Sequence, residues 1–242
     1  MKDLSYAFNP IGIIRSCFPE KFGIPRQPGL VKEARAILEL LPPFDRPEAL
    51  QGLEEFSHIW LIFVFHASLK QHWKATVRPP RLGGNRRVGV FASRSMFRPN
   101  PIGLSVVELE RLDLESGTPR LHLRGVDLLD GTPVLDIKPY LPYVDAVPTA
   151  HSAWADEAPA PELQVIFSAA AEQQWQEIQT HYPELKQLIG QVLALDPRPA
   201  YYDSVTPRKK FGTRLLDFDV AWEVEGDIAT VLAITSVMPG EG

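Results

Sequence analysis

His58-Ile-Trp-Leu-Ile-Phe-Val-Phe-His-Ala67 is the stretch whose reading decides the fold. Ile59, Leu61, Phe63 and Phe65 fall on one alternating face, and Trp60, Ile62 and Val64 on the other. Its β-branched and aromatic content, and its length, predict a strand buried on both sides, the central strand of a β-rich fold that ends at His66. On either side lies a longer window with an unusual charge. Between Glu55 and Glu108 there is no Asp or Glu, while Lys70, Lys74, Arg78, Arg81, Arg86, Arg87, Arg94 and Arg98 give it a formal +8. The whole chain carries −5, so everything outside the window carries −13. Separation of that kind points to a face built to meet an anion. Local patches, not net charge, govern phosphate binding, so overall acidity does not exclude nucleic acid.

Working outward, regular short strands with turns between them predict an antiparallel barrel or sandwich. Residues around Ile11 and Ile13 alternate up to Ser16, and a loop with three prolines follows from Phe18 to Gly29. Val31 to Leu41 fits a short helix or an extended piece, and the pattern does not decide. A helical turn is expected over Pro47 to Leu53 and a strand over Val88 to Ser93. Leu104 to Leu114 and Leu121 to Val126 read as a hairpin, Asp127 to Pro133 as a second turn, and Val134 to Ile137 as another strand. The 23 prolines, nearly twice the common usage of about 5%, cut the chain into short elements and argue against a helical bundle.

Pro139 to Pro161 reads as a linker or extended crossover. Beyond it come a strand, Leu163 to Phe167, a helix capped by Ser168, a second helix with Pro183 in its first turn, and a closing hairpin through Glu225-Gly-Asp227. The division predicted is a β domain over 1–150 and a small α+β domain over 151–242.

Several chemistries lack their signature. There is no Gly-x-Gly-x-x-Gly after a strand, no Walker loop and no Gly-x-Ser-x-Gly elbow, and the histidines show no metal spacing. No apolar run is long enough to span a bilayer, and residues 1–5 lack the apolar core of a signal peptide. A single cysteine, Cys17, permits no internal disulfide, which fits a reducing cytoplasm; as a side chain it reads as packing rather than as a nucleophile. Asp127 and Asp130 are a carboxylate pair for acid–base work or simply parts of a turn, and His66 is a base, a donor to a ligand or a satisfied strand-end histidine. Arg94 and Arg98 can grip a carboxylate or phosphate, or cover the surface. Asp196-Pro-Arg-Pro-Ala-Tyr201 places an arginine beside an aromatic, a pairing suited to phosphate contact and base stacking.

Five segments, in order, resemble the TsaA-like family of S-adenosylmethionine-dependent tRNA (adenine-N6)-methyltransferases. They are Pro25-Arg-Gln-Pro-Gly29, Arg78-Pro-Pro-Arg-Leu-Gly-Gly-Asn85, Ser93-Arg-Ser-Met-Phe-Arg-Pro-Asn-Pro-Ile-Gly103, Asp127-Leu-Leu-Asp-Gly-Thr-Pro133 and Asp196-Pro-Arg-Pro-Ala-Tyr201. The resemblance implies a mainly β protein: an N-terminal antiparallel, non-Rossmann β-barrel that binds S-adenosylmethionine, with a small C-terminal α+β domain that engages tRNA. It also implies a cytoplasmic homodimer that methylates N6 of N6-threonylcarbamoyladenosine at position 37, beside the anticodon of threonine tRNA. Carried over by position, the cofactor contacts are Pro25, Arg26, Gln27, His66, Ala67, Arg94, Leu104, Asp127, Leu128, Leu129 and Asp130. Ala67 stands where at least one relative has glutamine. Asp127, Asp130 and His66 are the candidates for catalysis, and Arg78, Arg81, Asn85, Arg86, Arg98, Arg198 and Tyr201 those for RNA contact. A non-catalytic tRNA-binding module using the basic window is the alternative, and a methyltransferase of small molecules a third reading.

Overall fold

The computed structural model of the chain describes residues 5–69, 72–115, 117–198 and 210–237. Six strands close a barrel: β1 (Gly12–Ser16), β2 (Arg35–Leu40), β3 (His58–Val64), and, after the two-residue β4 (Thr76–Val77) and β5 (Val88–Gly89), β6 (Ile102–Asp113), β7 (Arg120–Arg124) and β8 (Pro133–Pro139). Their order around the barrel is β1-β2-β7-β6-β3-β8, antiparallel at every seam, with β8 pairing back to β1. Closure leaves no edge to protect, and it also leaves no central strand. β3 therefore has one core face, Ile59, Leu61 and Phe63, while Trp60, Ile62 and Val64 on its outer face are only half-buried. The expectation of a strand buried on both sides is corrected by this geometry.

The undecided segment is extended: β2 pairs with both β1 and β7, and its alternate residues Ala36, Leu38 and Leu40 are buried. Of the strand expected over Val88 to Ser93 only the first two residues pair, and Val90–Ala92 is a tight 3-10 turn. Within Pro139 to Pro161, read as a linker or extended crossover, lie α1 (Pro142–Asp145) and a turn at Ala153–Ala155.

The C-terminal unit is a four-stranded sheet, β10-β11-β12-β9, formed by β9 (Gln164–Phe167), β10 (Lys210–Leu215), β11 (Phe218–Glu225) and β12 (Ile228–Ser236). Two helices go with it, α2 (Ala169–Ile178) and α3 (Leu185–Ala194). Ser168 caps α2 by accepting the Ala171 N–H at 3.2 Å. In α3 the stripe Leu185, Leu188, Ile189, Val192 is buried. β10 was not anticipated from the sequence.

Barrel and C-terminal unit share one apolar core. Polar ties cross the junction as well: the Leu216 N–H donates to the Cys17 carbonyl at 2.9 Å, and the Glu33 N–H to Gln191 Oε1 at 3.1 Å. Cys17 lies in this junction at 2% exposure, and burial pushes its thiol up to about 12, so it packs and does not react.

Candidate functional site at the barrel mouth

The topology sends every informative loop to one end of the barrel. β1 and β3 finish there, β6 and β8 begin there, as the pairs Ile13 with Pro133 and Val64 with Ile102 record. The 17–34, 65–101 and 125–132 connections therefore converge on one mouth.

The Asp127 to Thr132 turn is the best-tied of the three. The Ser16 N–H donates to Asp130 Oδ1 at 2.9 Å and the Ser16 hydroxyl to the Leu128 carbonyl at 2.7 Å. Asp130 N–H donates to the Phe18 carbonyl, Gly131 N–H to that of Ile14, and the Thr132 hydroxyl to that of Leu129. Gly131 sits at φ +76°, a conformation costly to any residue with a Cβ. Asp130, on this geometry, holds the turn. Leu128 is buried, and Leu129 half-buried.

Asp127 is used differently. The Ser105 hydroxyl, at a buried inward position of β6, donates to its Oδ1 at 2.6 Å. Burial pushes the carboxyl up from 3.8 to about 6, against the lowering influence of Ser105 and of the Arg94 charge. Arg94 in turn donates to Gln27 Oε1 at 2.6 Å, and the Gln27 amide donates to the Arg26 carbonyl. Pro25 is buried, while Arg26 is exposed. The result is a carboxylate, an arginine and an oriented amide side by side at the mouth.

His66 opens a 3-10 turn directly after β3 and is half-buried; a Cβ built on Gly131 would lie 4.0 Å from its Nε2. Ala67 is exposed, and its carbonyl accepts from Lys21 Nζ at 3.0 Å, a backbone role indifferent to the side chain. Leu104 is the outlier. It is 49% exposed on the outside of the barrel, the opposite face of β6 from Ser105.

Among the residues expected at RNA, Arg78, Arg86 and Asn85 are exposed on the rim. Arg81 donates to the Glu157 carbonyl. Arg98 is built into its loop, donating to the Ser93 carbonyl at 2.8 Å and the Val90 carbonyl at 3.2 Å. Arg198 is forked on Asp196 through bonds of 2.7 and 2.6 Å, with 15% of its side chain exposed. Tyr201 lies outside the described residues. Ser105 and Ser16 were missed by sequence reasoning. Ser105 did leave a signal: it is the one polar residue among the alternating inward positions Gly103, Ser105, Val107 and Leu109.

The donor set suits a zwitterionic, cationic nucleoside derivative: a carboxylate for hydroxyl or ammonium donors, guanidinium for a carboxylate, and apolar leucines beside them. Among the described residues no cluster of His, Cys, Asp and Glu could hold a metal ion, and no helix is long and apolar enough to cross a membrane. The fold and site thus define a closed antiparallel barrel with a polar ligand site at one mouth, a class that owes nothing to a Rossmann crossover.

Comparison with known proteins narrows the class. The family model described as the tRNA-methyltransferase O N-terminal domain matches residues 13–146, and the TrmO C-terminal domain matches 160–237. The tRNA (adenine(37)-N6)-methyltransferase of Escherichia coli (strain K12) is 50% identical over 91% of this chain and 94% of its own length. RcsF of Pseudomonas aeruginosa, assigned as an S-adenosylmethionine-dependent methyltransferase, is 56% identical over 90% of this chain and 93% of its own. The crystal structure of TrmO from Pseudomonas aeruginosa superposes with a TM-score of 0.79 at 46% identity, covering 96% of this chain and 99% of that one. The chain belongs to the TrmO family.

Proposed function

We propose that the protein transfers the methyl group of S-adenosylmethionine to N6 of N6-threonylcarbamoyladenosine at position 37 of threonine tRNA, in the cytoplasm and as a homodimer. Methyl transfer to tRNA adenine with S-adenosylmethionine as donor is the activity of the family to which the chain belongs. The observation that carries the finer reading is the juxtaposition at the barrel mouth: the Asp127–Arg94–Gln27 group adjoins a rim with no acidic residue from 56 to 107.

S-adenosylmethionine, when bound, supplies a methyl group on a sulfonium, already activated for in-line displacement. The chain's own residues have the remaining work. Asp127 accepts from hydroxyl or ammonium groups of the cofactor, and Arg94 with Arg26 pairs with its carboxylate. Gln27, aligned by Arg94, and His66, Ala67, Leu128 and Leu129 complete the wall; Pro25 fixes the loop from below, and Asp130 fixes the turn. Most of the rate enhancement comes from alignment of the two reactants. Adenine N6 is a poor nucleophile because its lone pair is delocalised, and the carbamoyl substituent makes its N–H more acidic. Of the three acid–base candidates, Asp130 is committed to the Ser16 N–H, which leaves Asp127 and His66 for the proton that departs.

Leu104 supports the homodimer. A ligand at the mouth reaches one face of β6, and Leu104 stands on the other; with Trp60, Ile62, Val64 and Ile102 it forms an outer apolar strip that a second subunit would cover. Arg78, Arg81, Asn85, Arg86 and Arg98 line the proposed RNA rim. The C-terminal unit, 151–242, engages tRNA through the segment that Arg198 opens and Tyr201 continues.

The test is transfer of labelled methyl from S-adenosylmethionine to threonine tRNA with and without its threonylcarbamoyl group. Label confined to the carbamoylated tRNA is the expected result. Equal labelling of both forms, or tight tRNA binding with no transfer, would overturn the reading.

A further inference from the structure

One exposed aromatic on the rim has no role in the site just described. Phe91 is 76% exposed, at the middle of the Val90–Ala92 turn. Its neighbour Val90 explains why it stays out. Val90 is buried at 2%, and its N–H donates to the Ala75 carbonyl at 3.0 Å. The Val90 carbonyl then accepts from the Ser93 hydroxyl at 2.8 Å and from Arg98 at 3.2 Å. With the turn pinned from below at one residue, the next is directed into water. The same Arg98 places its guanidinium over the Phe91 ring, 5.6 Å from the centroid. One face of the ring is therefore backed by a cation, and the other is open.

An exposed phenylalanine on its own needs no explanation. Phe91 differs in having a rigid seat, a cation behind it and no acidic residue anywhere in the surrounding window. It is also three residues before Arg94, which reaches Gln27 at the mouth. A flat π-face with a guanidinium on its far side, in a field that attracts phosphates, fits an unpaired nucleobase: the base stacks on the open face while the positive field holds its backbone. A protein partner would have to bring its own acids to this surface, whereas single-stranded RNA carries the complementary charge by nature.

We infer that Phe91, backed by Arg98, is a stacking platform for an unpaired base of the anticodon loop near the target nucleotide. The inference rests on the tRNA substrate proposed above and adds a residue that positions it. The ring contact of Phe91 is with Arg98, outside the Asp127–Arg94–Gln27 group, so it acts through RNA affinity and not through the chemistry.

The experiment compares wild type, Phe91→Leu and Phe91→Tyr. Leucine keeps apolar bulk without a π-face, and tyrosine keeps the π-face. Loss of one base stack corresponds to weakening of roughly 5- to 150-fold. Phe91→Leu is expected to weaken threonine-tRNA binding within that range, with S-adenosylmethionine affinity and the salt dependence of tRNA binding unchanged because no charge is removed. Phe91→Tyr is expected to stay near wild type. A 2-aminopurine beside the target position of an anticodon stem-loop is expected to be quenched by wild type and Phe91→Tyr but not by Phe91→Leu. Wild-type tRNA affinity in Phe91→Leu would overturn the platform, as would equal losses in both variants. A change of oligomeric state in Phe91→Leu with tRNA affinity intact would also overturn it and assign the ring to a protein interface. These results are separable from failure of the underlying function: a wild type that neither binds nor methylates tRNA removes the substrate, while a wild type that methylates normally and a Phe91→Leu that matches it remove only the platform.

Discussion

The Asp127 to Thr132 turn and the Arg78 to Arg98 rim meet at the same mouth yet are built on opposite plans. In the turn, Asp130, Leu128, Leu129 and Gly131 are each bonded to β1, to the segment just after it or within the turn, and Asp127 is tied across to β6. On the rim, Arg78, Arg86 and Arg87 are exposed, and the backbone is held mainly by short turns and a two-residue ladder. The first plan fixes polar atoms before a ligand arrives, which suits a small molecule recognised by a few placed contacts. The second spreads positive charge over a surface, which suits a polyanion met at many points. Affinity for the cofactor and affinity for RNA should therefore be separable by mutation.

The largest effect is expected from neutralising the carboxylate that the turn presents beside Arg94. Asp127→Asn keeps the acceptor for Ser105 and removes the charge; loss of a charge-assisted bond weakens S-adenosylmethionine binding by about 10- to 100-fold, measured by calorimetry. On the other side of the comparison, Arg78→Ala, Arg86→Ala and Arg87→Ala combined should weaken tRNA binding about ten-fold at moderate salt. The slope of log K against log salt should become shallower by about 2, given roughly 0.7–0.9 per phosphate contact. Cofactor affinity in that triple variant should not move.

How much of this the sequence discloses depends on whether a property is local. Alternation in β6, β7 and β11, the Ser168 cap and the α3 stripe are local, and they are readable. β2 is not, because Val31 to Leu41 carries an apolar pattern compatible with either period until β1 and β7 flank it. β10 was hidden in a similar way: Lys210 and Arg214 look like surface charge, and only pairing with β11, with Phe211 stacked 4.8 Å from Trp222, makes the segment a strand. The site shows the same division. Arg94 and Asp127 could be picked out as a cation and a carboxylate and given a cofactor role only through motif resemblance, whereas the Ser105–Asp127 bond joins residues 22 apart and exists only once β6 passes the mouth. Burial on one face alone of β3 follows from closure, which alternation cannot express.

Two smaller effects sharpen the rigid half of the comparison. A Cβ on Gly103 would fall 2.2 Å from Phe63 Cζ, so Gly103→Ala should cost about 1–3 kcal/mol in denaturant unfolding as the ring is displaced. The last effect is on pH dependence. Because burial raises the Asp127 carboxyl to about 6, the folded protein binds that proton more tightly than the unfolded chain does between about pH 4 and pH 6. Its contribution is favourable at the acid end and is lost as pH rises through 6. Asp127→Asn should therefore raise Tm at pH 8 by several degrees, at about 2–4 °C per kcal/mol for a chain of this size, and leave it nearly unchanged at pH 4.

The most direct test of the division between turn and rim is a pair of titrations, S-adenosylmethionine and threonine tRNA, each run on wild type, Asp127→Asn and the triple rim variant. The account predicts a crossed result: Asp127→Asn loses cofactor affinity and keeps tRNA affinity, and the rim variant does the reverse. Parallel loss of both ligands in either variant would contradict it, because the turn and the rim would then be one binding surface.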